Sequence, residues 1–221
     1  MMEKFKNEQG NIALFVLGML GIMMVLFIFI VNMGFALTVK EDSATTVQQA
    51  SMAASSVLYE NVRNLIYNYE HDTLEGAVQA FFRDIEEKVD QKAEELSSNP
   101  TYHDWSANEI ELEAFDIVLE NELDRDIVRA KLMDILQYED IEENVIDMAK
   151  QTISQNGGEL AGAELAIHNN RIYVRASNEM ESVSYDGFME GIRKKIYQES
   201  AGPKIDFLED IWTYDSLIQL D

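Results

Sequence analysis

The sequence predicts a helix-rich α+β protein in which a long N-terminal transmembrane and stalk helix precedes shorter helices and a small antiparallel sheet. Three observations predict it. No charged side chain occurs from Asn11 to Val39. Apolar residues at helical spacing then dominate as far as Ile153, and the 221 residues contain only two prolines, Pro100 and Pro203. After Asn156-Gly157-Gly158 the period changes to alternation, which is the mark of strands.

The first element is the span. A helix rises ~1.5 Å per residue and a bilayer core is ~30 Å thick, so about 20 residues suffice. Residues 11–39 exceed that length and far exceed the ~7–15 apolar residues of a cleaved secretory signal. An uncleaved signal anchor is therefore expected, with the lipid bilayer as first partner. Lys4 and Lys6 precede the run, whereas Lys40 is followed by no cation before Arg63. Cations set topology, so residues 1–10 are expected to form a cytoplasmic head and the remainder to lie outside the cytoplasm.

Residues 40–70 continue the helix as an amphipathic stalk. Ala44, Val47, Ser51, Ala54, Leu58, Val62, Leu65 and Tyr69 recur at spacings of three and four. The middle of this segment is small-residue rich, and small residues let another backbone approach closely. Ala50, Ala53 and Ala54 are the candidate helix-packing contacts, with a partner helix as the expected neighbour.

The domain over 71–221 opens with a helix from Asp72, three residues before Glu75 as in a capping box. Leu74, Val78, Phe81, Ile85, Val89, Ala93 and Leu96 form its apolar face, and Ser97-Ser98-Asn99-Pro100 ends it. Residues 101–120 read either way: Ile110, Leu112 and Ala114 alternate, but Phe115, Val118 and Leu119 suit a helix. Leu123, Ile127, Ala130 and Met133 restore helical spacing. A further helix follows a second capping-box spacing, Asp140 to Glu143, and Asn156-Gly157-Gly158 stops it. Leu160–Ile167, a turn at Asn169-Asn170 and Ile172–Val174 read as a hairpin. A third strand over Glu181–Tyr185 and a helix from Gly187 to Glu199 are expected next. The apolar tail, with Ile205, Phe207, Leu208, Ile211, Trp212, Tyr214, Leu217 and Ile218, should pack on its own domain.

Composition narrows function. Two of the 41 acids and three of the 17 Lys and Arg lie at or before Lys40, which leaves 39 acids against 14 cations beyond it. Such a surface repels nucleic acid, which is bound through cations matched to phosphate. There is no cysteine, hence no disulfide, thiolate nucleophile or Cys-ligated metal. His71, His103 and His168 lack metal-ligand spacing, and neither a phosphate-binding glycine loop nor a Gly-x-Ser-x-Gly elbow occurs. Glu86-Glu87, Glu142-Glu143 and Glu209-Asp210 read as solvated helix faces. No enzyme activity, cofactor or metal is expected.

One stretch has a recognisable order. It runs Glu8-Gln9-Gly10-Asn11-Ile12-Ala13, then Val31-Asn32-Met33-Gly34, then Val47-Gln48-Gln49-Ala50 and Met52-Ala53-Ala54. Residues 8–58 thus resemble the N-terminal region of Tad (Flp-pilus) assembly proteins of the TadE/TadG-like type, with a polar head, Gly, span, acid-x-Gly, polar segment and alanine run. Asn32 stands where that family usually has Asp, and Met52 where a second Asp is common. The resemblance makes Gly10-Asn11 the candidate processing site, because prepilin peptidase cuts after Gly. Phe15 occupies the place of the usual pilin glutamate, so a mature chain keeping Met1 or Met2 is expected. Asp42-Ser43-Ala44-Thr45-Thr46 has Ala44 where the metal motif of the longer relatives needs a hydroxyl. The resemblance implies a membrane-anchored accessory or minor pilin-like subunit of a Tad-type pilus assembly or secretion apparatus, contacting other subunits or itself. A membrane-tethered extracytoplasmic sensor or binding module is the second reading.

Overall fold

The helix that the uncharged run begins is not interrupted for 61 residues. A computed structural model describes residues 8–70, 74–137, 139–185, 187–212 and 217–221. Helix α1 covers Glu8–Asn68, about 90 Å at the standard rise. It is followed by α2 (Gly76–Ser97), a 3-10 turn (Pro100–Tyr102), α3 (Ala107–Leu123), α4 (Asp126–Leu136) and α5 (Ile141–Gln155). Strands β1 (Glu159–His168), β2 (Arg171–Glu181) and β3 (Arg193–Ala201), helix α6 (Leu208–Ile211) and the short strand β4 (Ile218–Gln219) complete the chain. All strand pairings are antiparallel, in the order β3-β2-β1-β4. The expected α+β class is the observed one.

The two halves of α1 live in different surroundings. From Ile12 to Leu37 nearly every large apolar side chain is exposed, and this part is long and apolar enough to cross a membrane. From Ser43 to Ile66 one face of the same helix is buried: Val47, Ala50, Ala54, Leu58, Val62 and Ile66 are wholly inaccessible. The helix thus runs on unbroken beyond the apolar run, to Asn68, but residues 40–70 do not form a free-standing stalk. They are the central helix of the domain, lying on β2 and β3 with α5 alongside. At the far end of α1, Tyr59 and Tyr67 meet Phe115 of α3 and Phe207 of the tail, edge to face at centroid distances of 5.5–6.4 Å.

Several local expectations change. The opening of α2 is at Gly76, with Glu75 at its N-cap and no side-chain cap bond; Asp72 lies outside the described residues. The ambiguous 101–120 segment is helical because of a cap the alternation obscured. The Ser106 hydroxyl accepts from the Glu109 N–H (3.3 Å), and the Glu109 carboxylate accepts from the Ser106 N–H (2.7 Å). The bond from the Ser106 N–H and a second from the Ser106 hydroxyl (2.8 Å) hold the Glu109 carboxyl below its ordinary range. A Ser106→Ala variant is expected to lose about 1 kcal/mol, read as faster amide exchange over the first turn of α3. Unchanged exchange there would show that packing alone fixes the helix.

The face of α4 is also not the expected one. Val128, Leu132 and Ile135 are buried while Ile127 is exposed, because packing on α2 and α3 selects the neighbouring stripe. Helix α5 begins after Asp140, but the second capping-box spacing yields no side-chain cap bond. The hairpin forms as read, with Asn169 and Asn170 both left-handed (φ 51° and 56°) as a two-residue turn requires.

The third strand lies elsewhere than expected. Strand β2 already runs to Glu181, and residues 182–192 form a loop. The expected helix Gly187–Glu199 does not form: Gly187, Met189 and Gly191 are all left-handed, which breaks the first helical turn. Residues 193–201 instead pair with β2 over nine positions as β3. The tail packs on its own domain, with Ile205, Phe207, Leu208 and Leu220 fully buried; Tyr214 lies outside the described residues.

Candidate functional site

The seam where α1 meets the sheet is where the small residues of the sequence find their use. Ser43 and Thr46 lie a turn apart on the face toward β2 and β3. The Ser43 hydroxyl donates to the Ile196 carbonyl (2.7 Å) and accepts from the Asn178 N–H (2.9 Å). Asn178 and Ile196 are register partners, so a helix side chain is stitched into the β2–β3 ladder. Thr46 donates to the Asn156 carbonyl (3.4 Å), to which the Asn178 amide also donates (3.2 Å). Helix, sheet and the end of α5 thus share one buried polar seam.

Further along, two glycines set the spacing. A Cβ on Gly158 would lie 2.9 Å from the Thr46 methyl and 2.8 Å from Ile153. One on Gly202 would lie 2.3 Å from the Ser55 hydroxyl and 2.9 Å from the Ser51 carbonyl. Ala50 and Ala54, candidate contacts for a partner helix, are fully buried in this seam, and Ala53 is half-buried. The close neighbours of this face of α1 are the sheet and α5 of the same chain. Gly10 and Asn11, the candidate processing site, lie in the first turn of the α1 backbone.

A second concavity opens where α4, the start of α5 and α6 surround α1. Its volume is about 540 Å³. Leu58 forms the floor, Met133, Leu136, Ile141 and Trp212 the walls, and Asp134, Glu139 and Glu142 the rim, with no cation among the lining residues. The Trp212 indole N–H is buried without a hydrogen-bond partner among the described residues. Such a cleft suits an apolar group next to a positive charge. The sequence singled out most of these residues only as core or solvated face, since α4 and the tail meet through the fold and not through any motif.

Among the described residues, Asp116 on α3 is the buried carboxyl group. Its carboxylate accepts from the Asp206 N–H (2.9 Å) and the Phe207 N–H (3.4 Å), and it also bonds the Tyr59 hydroxyl. Burial pushes its pKa up to about 6, against the opposing pull of those two N–H donors. Asp116 ties the tail to α3 and α1. It sits apart from the residues lining the cleft and is placed to hold structure. No sequence motif marked it, because its partners are backbone groups 90 residues away.

No protein-family model matches the chain, and neither a curated protein nor a solved structure does.

Proposed function

We propose that this chain is a membrane-anchored accessory or minor pilin-like structural subunit of a Tad-type pilus assembly or secretion apparatus. The observation that carries the reading is the sharing of α1. One helix is bare and apolar over its first half and forms the central packing element of the domain over its second, with no linker between. A tether for a binding module needs only a flexible connection. A rigid one is what an assembly needs if the position of the domain is to follow the position of the span. The polar head remains cytoplasmic in this reading and the acidic domain lies outside, with residues 8–58 supplying the resemblance to the pilus-assembly family.

The span offers the surface for assembly, since its side chains from Ile12 to Phe27 are exposed and the open sides of Gly18 and Gly21 meet nothing in the monomer. The absence of cysteine makes the test direct. Single cysteines at Met19, Leu20, Gly21 and Ile22, scanned around one turn in native membranes, are expected to give an oxidised dimer on one helical face and not on the others. Absence of a dimer at every position would remove self-assembly through the span. A membrane-tethered binding module is the second reading, favoured by the acid-rimmed cleft around Trp212, and it would gain from that result.

A further inference from the structure

The loop between β2 and β3 reaches back along α1 into the part of the helix that is otherwise bare. Asn32 is the one strongly polar side chain in the middle of the uncharged run, yet it is only 5% exposed. Its amide donates to the Val183 carbonyl (3.0 Å) and to the Ile28 carbonyl (2.9 Å), and its oxygen accepts from the Val183 N–H (2.7 Å). A carboxylate here could not donate to either carbonyl. Beside this clamp, Phe188 packs edge to face on Phe29 at 6.0 Å. The rest of the loop turns apolar groups outward: Val183, Tyr185, Phe188 and Ile192 are each 42–57% exposed.

We infer that this loop is a second membrane contact, lying in the outer interface of the bilayer beside the span. The inference rests on the reading of α1 as a membrane span. Ile12 to Asn32 is about 30 Å of helix, one bilayer core, so the clamp marks the far boundary of that core. Tyrosine is enriched at this level, where Tyr185 stands beside the apolar ring of Phe188. Ser43, about 16 Å beyond Asn32 along α1, is level with Ile196 of β3. Arg193 and Lys194 fall between those heights, in the headgroup zone, and are exposed. They belong to the one consecutive run of cations in an otherwise acidic domain, Arg193-Lys194-Lys195. Arg193 also reaches Glu179 (3.5 Å) and Glu181 (3.3 Å), which leaves Lys194 as the freer partner for lipid phosphate. Continuity with the bare face of the span, the amphipathic ring of Tyr185 and the cations above it select a lipid surface as the occupant.

The test uses spin labels on single cysteines in the full chain, reconstituted in phosphatidylethanolamine–phosphatidylglycerol vesicles. A label at Leu20 reports the span, one at Tyr185 the loop, and one at Asn108, in the first turn of α3, the remote end of the domain. Collisions with oxygen are expected to exceed those with an aqueous nickel chelate several-fold at Leu20 and Tyr185, with the reverse order at Asn108. Oxygen dominance at Leu20 with nickel dominance at Tyr185 overturns the inference and leaves the span intact. A Tyr185 label shielded from both reagents means that protein covers the loop, which also overturns it. Nickel dominance at Leu20 removes the span, and the loop proposal with it.

Discussion

Gly202→Ala is expected to destabilise the domain by about 1–3 kcal/mol, although it adds a single methyl group. The backbone of Gly202 is not left-handed, so the effect is purely one of space. The new Cβ would stand 2.3 Å from the Ser55 hydroxyl and 2.9 Å from the Ser51 carbonyl. Ser55 can rotate only by giving up its bond to the same Ser51 carbonyl (2.8 Å). Even then the carbonyl remains, because it belongs to the helix backbone. Gly202 cannot retreat either: its N–H donates to Ile172 (2.8 Å) and its carbonyl accepts from Arg171 (2.8 Å). Ala54→Leu, in the same seam, should lose a similar amount, whereas Gln49→Leu on the exposed side should stay within about 0.5 kcal/mol. Thermal or denaturant unfolding of the purified full chain measures all three. Equal stability of Gly202→Ala and Gln49→Leu would show that α1 and the sheet are not held at this spacing. A crosslinking defect in Ala54→Leu without loss of stability would instead return this face of α1 to a partner helix.

That outcome for Ala54 shows how far the sequence could be read. The period of the α1 stripe found most of the buried face: Val47, Ser51, Ala54, Leu58 and Val62 are buried, Leu65 and Tyr69 partly so, and Ala44 is exposed. Periodicity identifies a face but not what covers it: the sequence leads to a partner helix, and the face is covered by α5 and the sheet of the same chain. The hairpin was legible because two adjacent asparagines demand left-handed backbone. Strand β3 was not, because Lys194, Lys195, Gln198 and Glu199 are ordinary helix residues and the pairing with β2 overrides that preference. The loop between β2 and β3 was hidden for a related reason: its apolar residues look like strand or helix core until Asn32 is seen to hold it against the apolar half of α1. The Trp212 cleft and the Asp116 site draw on distant segments, and neither leaves a local pattern.

Asp116 gives the second large effect, and its sign depends on pH. Its folded pKa is raised to about 6 from an ordinary 3.8, chiefly by burial and in part by the nearby charges of Asp206 and Glu113. The native state therefore binds the proton more tightly than the unfolded chain. Its stabilising contribution is full below about pH 4 and is lost as pH rises through about 6, in total on the order of 3 kcal/mol. Asp116→Asn cannot titrate, and its amide oxygen can still accept one of the two backbone N–H groups. The stability difference between parent and Asp116→Asn should consequently move in favour of asparagine by about 2–3 kcal/mol between pH 4 and pH 7.5. Asp116→Ala should be destabilised at both pH values, by about 3 kcal/mol, because the Asp206 and Phe207 N–H groups and the Tyr59 hydroxyl all lose their partner. Denaturant unfolding across that range decides it. Parallel pH profiles for the parent and Asp116→Asn would mean that the carboxyl titrates as an exposed one does. The tail would then be held by its other contacts, Phe207 packing against Tyr59 and Phe115 and the bonds of Asn170 to Ile205 and Glu209.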